Sequence, residues 1–131
     1  MQISSRRDFV RLSGAASAGA FAVAKPGAVR GSQANSAVSV GLVGCGNRGT
    51  HDAGLFAKNE FARIAAICDI YEDKLAAAAQ CFSGAKAFRS IQELLASDID
   101  AVIIATPVFL HPEHFELAVN ARKHIFMEKP A

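Results

Sequence analysis

A chain of 131 residues has room for one domain and not two. With 51% apolar and 20% charged residues it can build a core, which argues against disorder of the whole chain. The net charge of +2 is unevenly placed: residues 1–34 hold five basic side chains against one acidic, so the remainder carries nine against eleven, a slightly acidic balance that gives no reason to expect nucleic-acid binding.

The N-terminal segment reads as an address. Ser5-Arg6-Arg7-Asp8-Phe9-Val10 puts paired arginines after a short polar start, and Leu12 to Ala24 is weakly apolar and rich in Ala, Gly and Ser. Positive, then apolar, then small is the order of a secretory signal, and the paired arginines resemble the signal of the twin-arginine translocation pathway. The apolar stretch is shorter than the roughly 20 residues needed to span a bilayer, so no stable membrane insertion is expected. Pro26 and Gly27 break any helix there. Ala22-Val23-Ala24 and Ser32-Gln33-Ala34 are candidate cleavage ends, the second preferred because the segment up to Asn35 reads as linker. The expected organisation is a signal and linker over residues 1–34 and one nucleotide-binding domain over 35–131, periplasmic or exported.

From Ala37 the pattern alternates between strand and helix. Val38, Val40, Leu42 and Val43 form an apolar, β-branched run ending in glycines, a buried parallel strand. A helix is predicted from about Gly49 to Lys58, a second strand over Phe61 to Cys68, and an Ala-rich helix over Asp73 to Phe82, stopped by Ser83-Gly84. Lys86 to Phe88 is a short third strand. Ser90 with Glu93 forms a capping box for a helix containing Ile91, Leu94 and Leu95. Ala101 to Ala105 is a fourth strand, His111 to Arg122 a helix with Phe115, Leu117, Ala118 and Ala121 available for burial, and His124 to Met127 a fifth strand. Such alternation implies a Rossmann-like, doubly wound α/β fold with right-handed crossovers.

Three motifs fall at predicted strand ends. The sharpest is Gly44-Cys45-Gly46-Asn47-Arg48-Gly49, between the first strand and the first helix. In a dinucleotide site Gly44 permits the tight turn, Gly46 lets the backbone approach a pyrophosphate and Gly49 lets helix and strand pack closely, while the helix start offers free N–H groups to phosphate. Alone the pattern is also that of a plain tight turn. Its context strengthens it, because Asp69 ends the second strand 20 residues past Gly49 and can accept hydrogen bonds from the adenosine ribose. A carboxylate there repels a 2′-phosphate and favours NAD over NADP, whereas Arg48 could pair with a phosphate. The second motif, Ala105 to His111, follows the fourth strand: Thr106 and Pro107 could line a cofactor, and His111 could reach its nicotinamide side. From spacing alone His111 is more simply a partly exposed first-turn histidine. The third, Glu128-Lys129-Pro130, follows the fifth strand. A lysine at that edge, its pKa lowered by burial, could assist proton transfer, although surface Lys-Pro pairs are common.

No metal site is expected. Cys45, Cys68 and Cys81 form no CxxC pair and read as buried apolar residues, and His111 and His114 share a helix face without a carboxylate or cysteine to complete a ligand set.

The glycine loop, the D-I-Y-E-D-K-L stretch from Asp69, the D-A-V-I-I-A-T-P strand from Asp100, the H-P-E-H helix start and the terminal M-E-K-P together resemble the glucose–fructose oxidoreductase / inositol dehydrogenase family (Gfo/Idh/MocA) over about Ser39 to Pro130. The resemblance implies an N-terminal Rossmann domain followed by a substrate domain, and hydride transfer between NAD(P) and a hydroxyl of a sugar-like small molecule or cyclitol. It implies that Lys129 is the catalytic lysine, with Glu128 and Pro130 shaping the cofactor pocket, and a homo-oligomer when full length. The family's proteins continue past this motif, so the chain reads as a C-terminally truncated nucleotide-binding part, inactive alone. Two other readings stand beside this one: an NAD-dependent glycosidase working by oxidation and elimination, and a non-catalytic nucleotide-binding remnant.

Overall fold

A computed structural model of the chain describes residues 37–130; the predicted signal and its candidate cleavage ends lie outside the described residues. The elements follow one another as β1 (Val38–Val43), α1 (Asn47–Ala57), β2 (Ala62–Cys68), α2 (Glu72–Cys81), β3 (Lys86–Phe88), α3 (Ile91–Leu95), β4 (Ala101–Ile104), a 3-10 turn (Val108–Leu110), α4 (His111–Asn120) and β5 (His124–Met127). The five strands form one sheet in the order β3-β2-β1-β4-β5, with every pairing parallel. This is a Rossmann-like α/β fold, as the alternation predicted.

Burial explains the order. β1, β2 and β4 are the three inner strands. Val40, Leu42 and Val43 of β1 and Val102, Ile103 and Ile104 of β4 are all at most 2% exposed. A strand covered on both faces needs this near-continuous apolar run. One face packs Val40, Leu42, Ile67 and Ile103 against Ala53 of α1 and Leu75 and Ala78 of α2. The other packs Val43, Ala66, Val102 and Ile104 against Ile91, Leu94 and Leu95 of α3 and Ala118 of α4. Consecutive strand residues alternate between the two cores because the side-chain period is two.

Several boundaries differ from expectation. α1 begins at Asn47 rather than near Gly49, because Gly46 is extended and its carbonyl accepts from the Thr50 N–H at 2.9 Å. Phe61 lies before β2 and is 59% exposed. The predicted capping box does not form: the Ser90 hydroxyl donates instead to the Gln92 side-chain oxygen at 2.7 Å, and α3 is only five residues long. α4 stops at Asn120, with Arg122 beyond it in the left-handed region (φ 56°). Leu117 and Ala121 pack on the core, whereas Phe115 is 45% exposed. No helix among the described residues is long and apolar enough to cross a membrane.

Candidate functional site

β1, β2 and β4 end at the same edge of the sheet. There β1 sits between β2, reached through α1, and β4, reached on the other side from α3, so the chain reverses its winding direction at this point. The two loops diverge, and open α/β sheets place ligands in the resulting crevice. A cleft of about 750 Å³ occupies it, walled by Gly44 and Gly46, Asp69, and Thr106 and Pro107 from the three strand ends.

The glycine loop is built as its sequence predicts. Gly44 has φ +94°, and a Cβ there would lie 2.7 Å from the Ala105 carbonyl oxygen. A side chain is therefore excluded both by backbone conformation and by the neighbouring loop. At Gly49 a Cβ would lie 2.0 Å from the Gly44 carbonyl oxygen, so the absence of a side chain sets how closely α1 meets the end of β1. Gly46 is different: a Cβ would meet nothing within 4 Å. The N–H groups of Gly46, Asn47 and Arg48 have no acceptor among the described residues. An open approach over an unpaired helix start suits an anion, and the diphosphate of a dinucleotide fits it.

Asp69 braces this turn from the end of β2. Its Oδ2 accepts from the Cys45 N–H at 2.7 Å and its Oδ1 from the Tyr71 N–H at 2.9 Å. The carboxylate is thus held in place at the cleft wall while keeping lone pairs for a ribose hydroxyl. Burial pushes the Cys45 thiol up to about 12, with Asp69 adding to the effect, and pushes Cys68 up to about 11. Both stay neutral and unreactive. Cys81, expected to be buried, is exposed.

The remaining predicted residues are arranged less as expected. Asn47 lines a separate hollow of about 350 Å³ with Thr50 and His51. Arg48 is engaged with carboxylates rather than free for a phosphate. It donates to Glu128 Oε1 at 2.8 Å, and its Nε lies 3.2 Å from Asp52 Oδ2. The second contact is an ion pair without hydrogen-bond alignment, so Asp52 Oδ2, buried, has no hydrogen-bond partner among the described residues. Burial raises the Asp52 pKa, while the Arg48 bond lowers that of Glu128. This network ties α1 to the segment after β5.

His111 does not reach the cleft. It is 2% exposed, with Nε2 2.8 Å from the Thr106 carbonyl oxygen and Nδ1 3.0 Å from the Pro130 carbonyl oxygen. It joins the end of β4 to the Glu128-Lys129-Pro130 segment. The cleft histidine is His114, one helical turn later, whose Nδ1 shares a 2.9 Å hydrogen bond with Thr106 Oγ1. Burial holds the His114 pKa below its ordinary value. The spacing of three residues puts both histidines on one helix face without fixing which of them meets the cleft. Lys129 is exposed at the edge beyond β5. Tyr71 and Lys74, from the D-I-Y-E-D-K-L stretch, and Arg89, none of them named individually as a site residue from the sequence, also line the cleft near Asp69. The group spacing places no three potential metal ligands together among the described residues.

Residues 38–131 match the family model described as "Oxidoreductase family, NAD-binding Rossmann fold", GFO_IDH_MocA. An inositol 2-dehydrogenase of Rhizobium meliloti is 38% identical over 96 residues, 71% of this chain and 28% of that protein. A glycosyl hydrolase family 109 protein 2 of Shewanella sp. (strain ANA-3) is 37% identical over 105 residues, 71% of this chain and 23% of that protein. The crystal structure of scyllo-inositol dehydrogenase from Lactobacillus casei with NAD(H) and scyllo-inositol superposes with a TM-score of 0.68 at 32% identity, covering 72% of this chain and 28% of that one. The chain therefore spans about a quarter of the length of the curated relatives it matches.

Proposed function

The chain belongs to the GFO_IDH_MocA oxidoreductase family, with its NAD-binding Rossmann fold, and from that premise we propose that it is the nucleotide-binding part of an exported, NAD-dependent oxidoreductase acting on a hydroxyl of a sugar or cyclitol. The observation that carries the cofactor reading is the turn at residues 44–49, where unpaired amides lie beside an approach that a side chain at Gly46 would enter. The amides of Gly46, Asn47 and Arg48 hold the diphosphate, Asp69 takes the ribose, and Thr106, Pro107 and His114 border the far side. Asp69 favours NAD over NADP. Bound there, the nicotinamide supplies the two-electron acceptor or donor. Lys129 handles the proton of the substrate hydroxyl at its Nζ, and Arg48 and His111 hold the segment that presents it. The similarity to inositol dehydrogenases, one of them solved with scyllo-inositol, supports the substrate class. The paired arginines and small-residue end support export, with residues 1–34 as signal and linker and 35–131 as the nucleotide-binding domain.

Titration of NAD into the full chain tests the cofactor site. Gly46→Val is expected to weaken NAD binding by at least about tenfold while leaving the folded state intact, because a Cβ at this position has no protein atom within 4 Å and the side chain enters the phosphate approach. Equal affinity in the two proteins removes the assignment. The similarity to a glycosyl hydrolase family 109 protein favours a second reading, in which NAD is tightly held and regenerated within each turnover. Net accumulation of NADH with substrate separates the two, since only the dehydrogenase reading produces it.

A further inference from the structure

The end of the cleft that holds Asp69 also carries cations that its ribose role does not use. β2 and β3 run parallel with Cys68 opposite Phe88, so the next residues, Asp69 and Arg89, leave the sheet side by side. The Asp69 N–H still points to the Phe88 carbonyl at 3.4 Å. Both residues line the cleft, as does Lys74 from α2. Arg89 is already occupied. One guanidinium nitrogen pairs with Glu72, the first residue of α2, and the other donates to the Ile70 carbonyl at 3.1 Å.

The two acids at this end are held differently. Asp69 is fixed by backbone N–H groups on both oxygens. Glu72 has a side chain 75% exposed and holds Arg89, itself 60% exposed, through a surface ion pair. Such pairs are weak and exchange readily in water. A 2′-phosphate arriving here therefore meets a fixed carboxylate and a guanidinium that another carboxylate already neutralises. A guanidinium presents a planar fork of donors suited to phosphate, so Glu72 and a phosphate compete for the same group.

We propose that Glu72 is a specificity-determining residue: by holding Arg89 it withholds a phosphate-binding cation from the ribose end of the cleft and so reinforces the preference for NAD over NADP set by Asp69. The inference rests on the dinucleotide reading of the cleft. Removing the Glu72 charge leaves Arg89 with only the Ile70 carbonyl and places an uncompensated cation beside the ribose position.

Calorimetric titration of NAD and of NADP into the full chain, its Glu72→Gln variant and its Glu72→Gln/Arg89→Gln variant provides the test. Glu72→Gln is expected to tighten NADP binding by about threefold to fivefold and to change NAD binding by less than about twofold. The gain disappears in the double variant and shrinks at high ionic strength. Glu72 also sits in the first turn of α2, and a purely structural contribution there changes both affinities in the same proportion. An unchanged NADP-to-NAD ratio in Glu72→Gln overturns the proposal, as does a gain that survives without Arg89, which assigns it to Lys74. If the unaltered chain binds neither dinucleotide, the dinucleotide reading itself fails; if NAD binds and the ratio is unmoved, only the role of Glu72 fails.

Discussion

The two halves of the sheet edge that carries the cleft are built from different materials. At the β1–α1 turn the determinants are backbone conformation and missing side chains: φ +94° at Gly44, a forbidden Cβ at Gly49, open space at Gly46 and a main-chain amide on Asp69. At the β4 and β5 ends the determinants are side chains that reach across the fold. His111 joins two loops through its ring, His114 meets Thr106, and Arg48 reaches Glu128, 80 residues away. The first kind of site needs one residue type at fixed spacing. The second needs pairs whose partners become neighbours only after the chain has folded.

On this distinction, substitution at Gly49 has the largest effect on the fold. Gly49→Ala places a Cβ 2.0 Å from the Gly44 carbonyl oxygen and 3.1 Å from the Ala105 side chain. Neither the first turn of α1 nor the end of β1 can yield easily, since both pack on the core through Ala53 and Val43. A loss of about 3 kcal/mol in unfolding free energy is expected, measured by urea denaturation. Gly46→Ala in the same assay is expected to cost less than about 1 kcal/mol, because Gly46 has an ordinary extended backbone and its Cβ meets nothing. Equal losses at the two glycines break the comparison, because the loop then does not divide into a packing glycine and an approach glycine.

His111 tests the other end. Replacing its buried ring by alanine opens a cavity and removes the ring N–H that the Thr106 or the Pro130 carbonyl accepts, according to the tautomer. The expected cost is about 2–3 kcal/mol. Hydrogen exchange should also quicken at the Glu128 amide, which donates to the Ile104 carbonyl at 2.9 Å and reports on the segment beyond β5. A loss below about 0.5 kcal/mol with unchanged exchange means that the ring does not anchor this segment.

These differences explain what could be read before folding. The strands were legible because inner parallel strands are apolar on both faces, and Ala101–Ile104 shows that without any partner in view. The Gly44 and Gly49 roles were legible because only glycine satisfies a positive φ or a 2.0 Å approach. Asp69 was legible by its position at a strand end, but the bracing of Cys45 by its carboxylate was not. His111 and His114 are three residues apart on one helix, and the 3-10 turn at Val108–Leu110 helps set which of them enters the core. The sequence carries no signal for that turn strong enough to fix the rotation. Nor does it pair Arg48 with Glu128, because an ion pair between α1 and the end of β5 exists only once the sheet order brings them together.

The smallest expected effect is also the most selective, since it separates the two ends by pH. The glycine turn carries Cys45, whose thiol is pushed up to about 12 by burial and is silent near neutrality. The other end carries His114, whose pKa is held below 6.5, first by burial and then by His111, against an opposing pull from Glu113. A base with a depressed folded-state pKa takes up a proton more readily when unfolded. Its contribution to stability is therefore complete above about pH 6.5 and is lost as pH falls from there through the folded-state pKa. Urea denaturation across pH 7.5 to 5.5 should show stability falling with pH, and His114→Gln should flatten the slope in that window while leaving Gly49→Ala as costly as before. A slope that survives the removal of His114 assigns the neutral-range pH dependence to another group and removes His114 as the titrating element of the cleft.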